Sequence, residues 1–481
     1  MHSHSHRSRP PADDAGGRSW ALLILLCAAQ FMVILDATIV NVALPSIRRA
    51  LGFSPTDLQW VVTAYVLATG SLLLLGGRAA DLIGRRRVFL AGLTVFTGAS
   101  LVSGLAPEPG VLVASRAAQG VGAALLSPAA LSIVTTSYSG EQRARALSTW
   151  GAIGGAGAAA GVLLGGLLTT WLGWRSVFFV NVPTGLVTAA LTVRLIGGDG
   201  ATPVRAALAQ LDLPGAVTLV AGLVVLVYAV QGAAVHGWGS ARTLGLLAVA
   251  ATLLAGFAAI ERRAPHALIA PSIWRVRSLV SSATVMLGVT AILVGTSFLN
   301  TLFFQNVLGD SALRTGLEFL PGILTVGLAA HLGPKLLVRF GSRAVIAAGL
   351  ALAAAGDLLL SLAPVDAAYP TDLLPGFLLL GLGVGFAFVS ISVSAMSDVR
   401  DHQAGLASGL ITTAHDLGAA AGVSIFSAVA FGSGAAGTAG LVTGYGQGTA
   451  AGSAIAAALA LVAVIAVPRL RPAATQRIAL H

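Results

Sequence analysis

Fourteen apolar stretches dominate the chain, at about residues 20–44, 58–77, 88–106, 110–135, 147–170, 177–196, 213–233, 243–260, 279–304, 315–334, 344–363, 373–396, 404–431 and 446–467, with short charged or Pro/Gly-rich breaks between them. A helix needs about 20 apolar residues to cross the hydrocarbon core of a bilayer. Inside lipid, only helices and closed barrels satisfy every backbone hydrogen-bonding group, so runs of this length are helices. Charged residues make up 10% of the 481 positions, against about 25% in an average soluble domain, and mean hydropathy is +0.88. These values exclude a soluble globular enzyme and predict a polytopic, all-α membrane protein.

The 28 Lys and Arg outnumber the 18 Asp and Glu, for a formal net charge of +10. On a soluble chain such an excess points to nucleic acid. Here the cations stand singly or in short clusters between spans, with no basic domain to dock a duplex, so no nucleic-acid partner is expected. The excess is a topology signal instead. With a cytoplasmic N-terminus, 22 of the 28 Lys and Arg face inward, leaving Arg48, Arg49, Arg175, Arg242 and Arg314 outside and Arg116 within a span. That asymmetry predicts a multi-pass protein of the cell's inner (plasma) membrane with both termini, 1–19 and 468–481, in the cytoplasm. The run from Trp20 lacks a small-x-small cleavage pattern and is read as a retained first helix. His2, His4 and His6 before it are read as part of a polar tail, and no metal site is expected. Cys27 is the only cysteine; it allows no intrachain disulfide and is read as a core residue.

Sliding the sequence on itself reveals a repeat at an offset of 257: Leu51, Gly52 and Ser54 fall on Leu308, Gly309 and Ser311, and Gly84, Arg86 and Gly92 on Gly341, Arg343 and Gly349. Further on, Ala144 and Ser148 fall on Ala404 and Ser408 after a small drift. The first six helices (20–196) thus resemble the last six (279–467) in the same orientation, and 213–260 is an inserted helix pair. Parallel repeats related by an axis along the membrane normal place a substrate path between the halves, near the midplane.

These residues carry a family resemblance. The stretch from Gly77 and Arg78 through Asp81 to Gly84, Arg85 and Arg86 resembles the loop between helices two and three of the major facilitator superfamily. Together with Leu35 to Pro45 in helix one, and Trp174-Arg175 through Asn181-Val182-Pro183 at helix six, it is similar to the fourteen-helix drug:proton antiporter branch, EmrB/QacA-like. The resemblance runs from about Trp20 to Val467. It implies the major facilitator fold, two six-helix bundles plus the inserted pair, and export of hydrophobic compounds driven by protons.

The energy source is constrained independently. Lys335 is the sole lysine and lies between Pro334 and Leu336, so the chain has no phosphate-binding G-x-x-x-x-G-K-[ST] loop. Gly155 to Ala160 matches a dinucleotide fingerprint only on paper, because it lies inside an apolar helix with no preceding strand. No cofactor is expected. A membrane potential supplies about 2.3 kcal/mol per charge per 100 mV, enough at about 1.4 kcal/mol per decade for one coupled proton to sustain a roughly 50-fold gradient.

Ionisable side chains cost about 2.5–3.5 kcal/mol or more at the centre of a spanning helix, which makes each a functional candidate. Asp36 in helix one is the leading proton carrier, since desolvation and a nearby cation shift a carboxyl in opposite directions. Arg116 lies one turn from Gln119 on helix four, in a motif whose arginine the family resemblance associates with proton coupling. A static ion pair joining helices one and four is the alternative for Asp36 and Arg116. Asp357, His415 and Asp416 are candidates for substrate recognition, because a carboxylate in low dielectric attracts a lipophilic cation; neutral, hydrogen-bonded carboxyls are the alternative. Asn41, Gln59 and Gln119 can add polar contacts, and Trp60 and Tyr65 can stack on a flat compound. A hydrogen-bonded core residue is the alternative for His415, and the reading for His331 in helix ten.

Gly77, Arg78, Asp81, Gly84, Arg85 and Arg86 are read as a cytoplasmic gate latch, in which Asp81 pairs with a neighbouring arginine or with a helix N-terminus of the other half. Gly157, Gly161 and Gly165 in helix five repeat at four residues and permit close helix packing. They resemble the family's antiporter motif, but Val162 and Ser148 stand where that motif has a proline and its first glycine. The reading that results is a non-enzymatic, proton-coupled efflux transporter of amphipathic small molecules working by alternating access. A facilitative or uptake carrier and a non-transporting sensor are the alternatives, and neither substrate nor accessory subunits can be named.

Overall fold

The computed structural model describes residues 12–54, 56–197, 211–264, 268, 273, 275–399, 403–432 and 437–468. Most of the two predicted tails, including His2, His4 and His6, and most of the linker before the inserted pair lie outside the described residues. Those residues contain no strand and fourteen spans: α1 (Ala12–Leu51), α2 (Trp60–Ile83), α3 (Arg85–Leu105), α4 (Pro109–Ser137), α5 (Gly140–Leu172), α6 (Ser176–Leu195), α7 (Leu213–His236), α8 (Ala241–Arg263), α9 (Arg277–Asn306), α10 (Ala312–Phe340), α11 (Ser342–Ser361), α12 (Leu374–Met396, entered by a π-helical turn from Tyr369), α13 (Ala404–Phe431) and α14 (Gly437–Ala466).

Local sequence explains the breaks. Asp212 accepts the Gly215 amide at 2.9 Å at the start of α7, and Ser240 and Ser311 cap α8 and α10 in the same way, which supplies partners for otherwise orphaned N–H groups. The repeat is visible in the turns. Gly52 and Gly309 both adopt φ 73°, and Gly84 and Gly341 adopt φ 115° and 79°, a region L side chains avoid. Several helices extend well beyond the apolar runs, among them α1 (Ala12–Leu51), α5 from Gly140 and α14 from Gly437. Glu141 and Arg145 pair at 2.6 Å one turn apart in the added turn of α5, and Gly444 lets α14 approach the Ala430 carbonyl of α13.

Helices α1 to α6 pack chiefly on one another, as do α9 to α14; α7 and α8 pair and lean on α2 and α13, where the halves meet. Small residues set the closeness. A Cβ at Gly92 of α3 would lie 2.7 Å from the Leu126 amide of α4, and one at Gly349 of α11 would lie 2.6 Å from the Gly383 carbonyl of α12. Without a hydrophobic drive between helices in lipid, such backbone approaches carry much of the packing.

The halves touch unequally along the membrane normal. At the end bearing Arg48, Arg175 and Arg314, Gln305 Nε2 donates to the Val42 carbonyl at 2.8 Å, and the Leu313 amide donates to Thr170 Oγ1 at 3.2 Å. There Gly166 and Gly316 bring α5 and α10 together so tightly that a Cβ at either would lie 2.7 Å from the opposing Ala312 or Val162 carbonyl. Toward the opposite, basic end, nothing lies within 4 Å of a Cβ placed at Gly151, Gly154 or Gly155 of α5, or at Gly327 of α10. The molecule is sealed at one end; at the basic one α5 and α10 splay apart, while α2 and α13 still meet at Leu74 and Gly409.

Gly92→Leu overfills the α3/α4 contact, at a cost of about 1–3 kcal/mol or more, whereas Gly98→Leu on the same helix meets open space. Thermal unfolding in detergent is expected to show a lowered Tm for the first and no loss for the second.

Candidate functional site

The most polar place in the membrane interior is built from five helices of the first half. Asp36 sits in the middle of α1 and is completely buried, as are Gln119 and, to within 1%, Arg116 and Asn181. Arg116 Nη1 donates to Asp36 Oδ2 at 2.5 Å, while Gln119 Nε2 and Asn181 Nδ2 donate to Oδ1 at 2.8 and 2.7 Å. Arg116 also donates through Nη1 to Gln119 Oε1 (2.7 Å) and through Nε to the Val61 carbonyl of α2 (3.0 Å). Its guanidinium lies 4.2 Å from the Tyr65 ring centroid, within cation–π range. Asn181 reaches on to Ser100 of α3 at 3.0 Å, and Ser100 donates to the Phe178 carbonyl at 2.9 Å.

Local structure explains this convergence. Helix α6 breaks at Val180 between a four-residue turn and a helix that restarts at Asn181, which turns the Asn181 amide toward α1. On the far side of α1, Gly157, Gly161 and Gly165 face Ile34, Thr38 and Ile39, so α5 presses directly on the segment that carries Asp36. The Asp36 carboxyl thus has three donors, one of them a guanidinium, a charge-assisted contact of the strong kind.

The remaining residues singled out in the sequence fall in several places. Tyr65 and Gln119 belong to the Asp36 cluster rather than to an open cavity; the Tyr65 hydroxyl donates to the Val33 carbonyl at 3.4 Å. Gln59 is buried at the start of α2 and donates to the Thr56 carbonyl at 2.8 Å, and Asn41 turns to its own helix at Ala37. Trp60 lies beside Tyr228, ring centroids 6.5 Å apart, in a mainly apolar groove of about 730 Å³ between α2, α4 and α7. His415 and Asp416 pair at 3.0 Å on α13 and are partly open. Asp416 abuts Gly70 of α2 across the interface between halves. Asp357 is sealed inside the second half against Thr296. His331 is exposed on α10, and Cys27 is buried.

At the basic end, Arg85 donates to Thr136 Oγ1 at the end of α4 (3.0 Å), and Arg86 to the Val193 carbonyl in the last turn of α6 (3.1 Å). The repeat holds here too: Arg343 donates to the Val467 carbonyl just past α14 at 2.8 Å. Asp81 is exposed, 3.9 Å from Arg85. Gly77 lies nearest Pro128 of its own half.

Two features are not evident from the sequence pattern. Asn181 stands there only as part of a helix-six motif, although an amide at a break inside a span is a usable signal. At the sealed end, Arg314 bridges Asp310 and Glu318, both at 3.0 Å, with both carboxylates nearly buried. The i±4 spacing of the three residues could have revealed that cluster.

Two six-helix halves, the first with a buried ion pair at its centre, that meet tightly at one end define a membrane transporter rather than an enzyme. The chain belongs to the Major Facilitator Superfamily, whose family model matches residues 26–423. It is 42% identical over 426 residues to the puromycin resistance protein of Streptomyces alboniger, covering 87% of this chain and 83% of the relative. It is also 42% identical to the cephamycin export protein of Amycolatopsis lactamdurans, over 88% of each chain, and 36% identical to the multidrug resistance protein Stp of Mycobacterium tuberculosis, over 85% of this chain and 75% of that one. Among solved structures, a peptide transporter in complex with sulfate shares the fold with a TM-score of 0.67 at 16% identity, over 93% of this chain and 95% of the other.

Breaking a buried ion pair from one side leaves an uncompensated charge and costs about 3–5 kcal/mol. Arg116→Ala is therefore expected to destabilise the folded protein by that order. The double variant Asp36→Asn/Arg116→Gln, in which no lone charge remains, is expected to recover most of the loss in detergent unfolding.

Proposed function

We propose that the protein is a proton-coupled exporter of amphipathic, cationic or neutral hydrophobic compounds, with both termini in the cytoplasm and no cofactor beyond the coupling proton. The observation that carries this reading is the Asp36 carboxylate, held by Arg116, Gln119 and Asn181 inside a half that must move against its partner. Its support comes from relatives named for antibiotic resistance and export.

In this reading the basic end faces the cytoplasm and the splayed state is inward-open. Protonation of Asp36 releases Arg116 from its carboxylate while Val61 and Tyr65 of α2 still hold it. The freed charge pulls on α2, which meets α13 at Gly70 and Asp416, so proton binding reaches the interface where the halves rock. An amphipathic cation arriving from the cytoplasm meets Asp416 and His415 at that interface. Alternating access follows when the cation and the proton favour opposite states. In the inward-open state the Asp81 latch is disengaged, consistent with its exposure and its distance from Arg85.

The test is transport in vesicles with an imposed pH gradient, using ethidium, puromycin, a cephamycin and lincomycin as probes. The wild type is expected to export at least one of them against its gradient. Asp36→Asn is expected to lose pH-driven transport while keeping probe exchange at zero gradient. Undiminished coupling in Asp36→Asn, or downhill flow alone in the wild type, overturns the proposal.

A further inference from the structure

The second half holds a buried carboxyl of its own, in surroundings unlike those of Asp36. Asp357 on α11 has no exposed surface. Its two oxygens lie 3.0 and 3.2 Å from the hydroxyl of Thr296 on α9, and Gly452 of α14 presses on Oδ2 with no room for a Cβ. No cation is among these contacts. The helices packed on α11 explain why: α12 carries no charged residue, α14 among its described residues has only Tyr445 as a titratable group, and Arg277 of α9 stands at that helix's far end. On α10, Glu318 and Arg314 are engaged with each other at the sealed end, and His331, Lys335 and Arg339 lie toward the basic end. On α13, whose Phe426 also borders Gly452, His415 and Asp416 pair more than two turns away.

The repeat gives this placement meaning. At the offset of 257, Asp357 is the counterpart of Ser100, the hydroxyl that closes the Asp36 network through Asn181. The counterpart of Asp36 is Leu293. In the α3/α4 and α11/α12 contacts, Gly122 and Leu126 correspond to Gly383 and Ala387, so Arg116 falls on the buried Phe377. The second half has therefore moved its carboxyl to another helix and discarded the cation. A carboxyl with a single hydroxyl partner and no counter-charge is fitted to hold a proton, as one beside an arginine is fitted to be ionised.

A polar route leads from the sealed end toward it. Thr296 and Asn300 lie one turn apart on one face of α9. The Tyr445 hydroxyl donates to Asn300 Oδ1 at 2.8 Å. Tyr445 also borders a small pocket of about 10 Å³ between α9, α13 and α14, near the sealed end, whose other lining side chains are apolar.

We propose that Asp357 is a second proton-carrying site, reached from the end of the molecule opposite the basic one along the face of α9 that carries Asn300 and Thr296. This rests on the reading of the protein as proton-driven. The step balances simply: an O–H bond forms at a carboxylate oxygen of Asp357 as a hydronium in the bulk water on that side gives up a proton and becomes water, and the reverse occurs on release. The two halves then carry one proton site each, one beside a cation and one without.

Infrared difference spectroscopy of the full-length protein in lipid, acid minus alkaline, reads this without a transported compound. The expected result is a protonated-carboxyl C=O band that bleaches reversibly at high pH, is absent in Asp357→Asn and persists in Asp36→Asn. Thr296→Val, which keeps the carboxyl and removes its hydrogen bond, is expected to move that band to higher frequency. A band that never responds to pH, or a wild-type spectrum in Asp357→Asn, overturns the second site and leaves the reading of Asp36 standing. Undiminished pH-driven transport in Asp36→Asn overturns the reading of Asp36 instead.

Discussion

A charge cannot remain in the middle of a membrane protein unless its surroundings replace the water it has lost. Around Asp36 that replacement is complete: a guanidinium, two amides and, behind them, a hydroxyl and a backbone carbonyl. These groups come from α1, α2, α3, α4 and α6, so the first half is held together at its centre by one connected network. A chain built only on apolar contacts in lipid has little to fix the relative depth of its helices. Here the depth of α4 relative to α1 is set by the reach of Arg116, and that of α6 by the break that turns Asn181 inward.

The two halves share a scaffold and differ in what they bury. The repeat survives in backbone features, the glycine turns at Gly84 and Gly341 and the close approaches at Gly92 and Gly349. It is lost among the charges, where Asp36 and Arg116 have Leu293 and Phe377 as counterparts. Selection for packing acts on both halves alike, because both must satisfy the same bilayer. The electrostatics can diverge, because each half needs only to balance its own interior.

Much of this architecture was legible in the residues. Apolar run length and the scarcity of charge sufficed for fourteen spans, because lipid leaves a backbone few alternatives. The repeat was readable because glycines at turns and crossings cannot be exchanged freely. Asp36 and Arg116 stood out as lone charges in apolar runs, and their spacing along two different helices gave no distance; only the packing of α1 on α4 does. What could not be read was which face a polar residue turns. Tyr65 and Gln119 belong to the ion-pair cluster, Trp60 to a groove beneath α7, and Gln59 to its own turn. In a helix that is apolar all round, the hydrophobic pattern carries no direction, so these orientations depend on neighbours far away in the chain.

The seal between α5 and α10 is made where Gly166 and Gly316 let one main chain rest against another. A door closed by backbone leaves almost no side chain for cargo to grip and no bulk to trim for a tighter fit. Breadth of cargo and firmness of closure can therefore vary independently: the compounds a descendant accepts can change through residues deeper in the cleft, while the shut face is inherited intact.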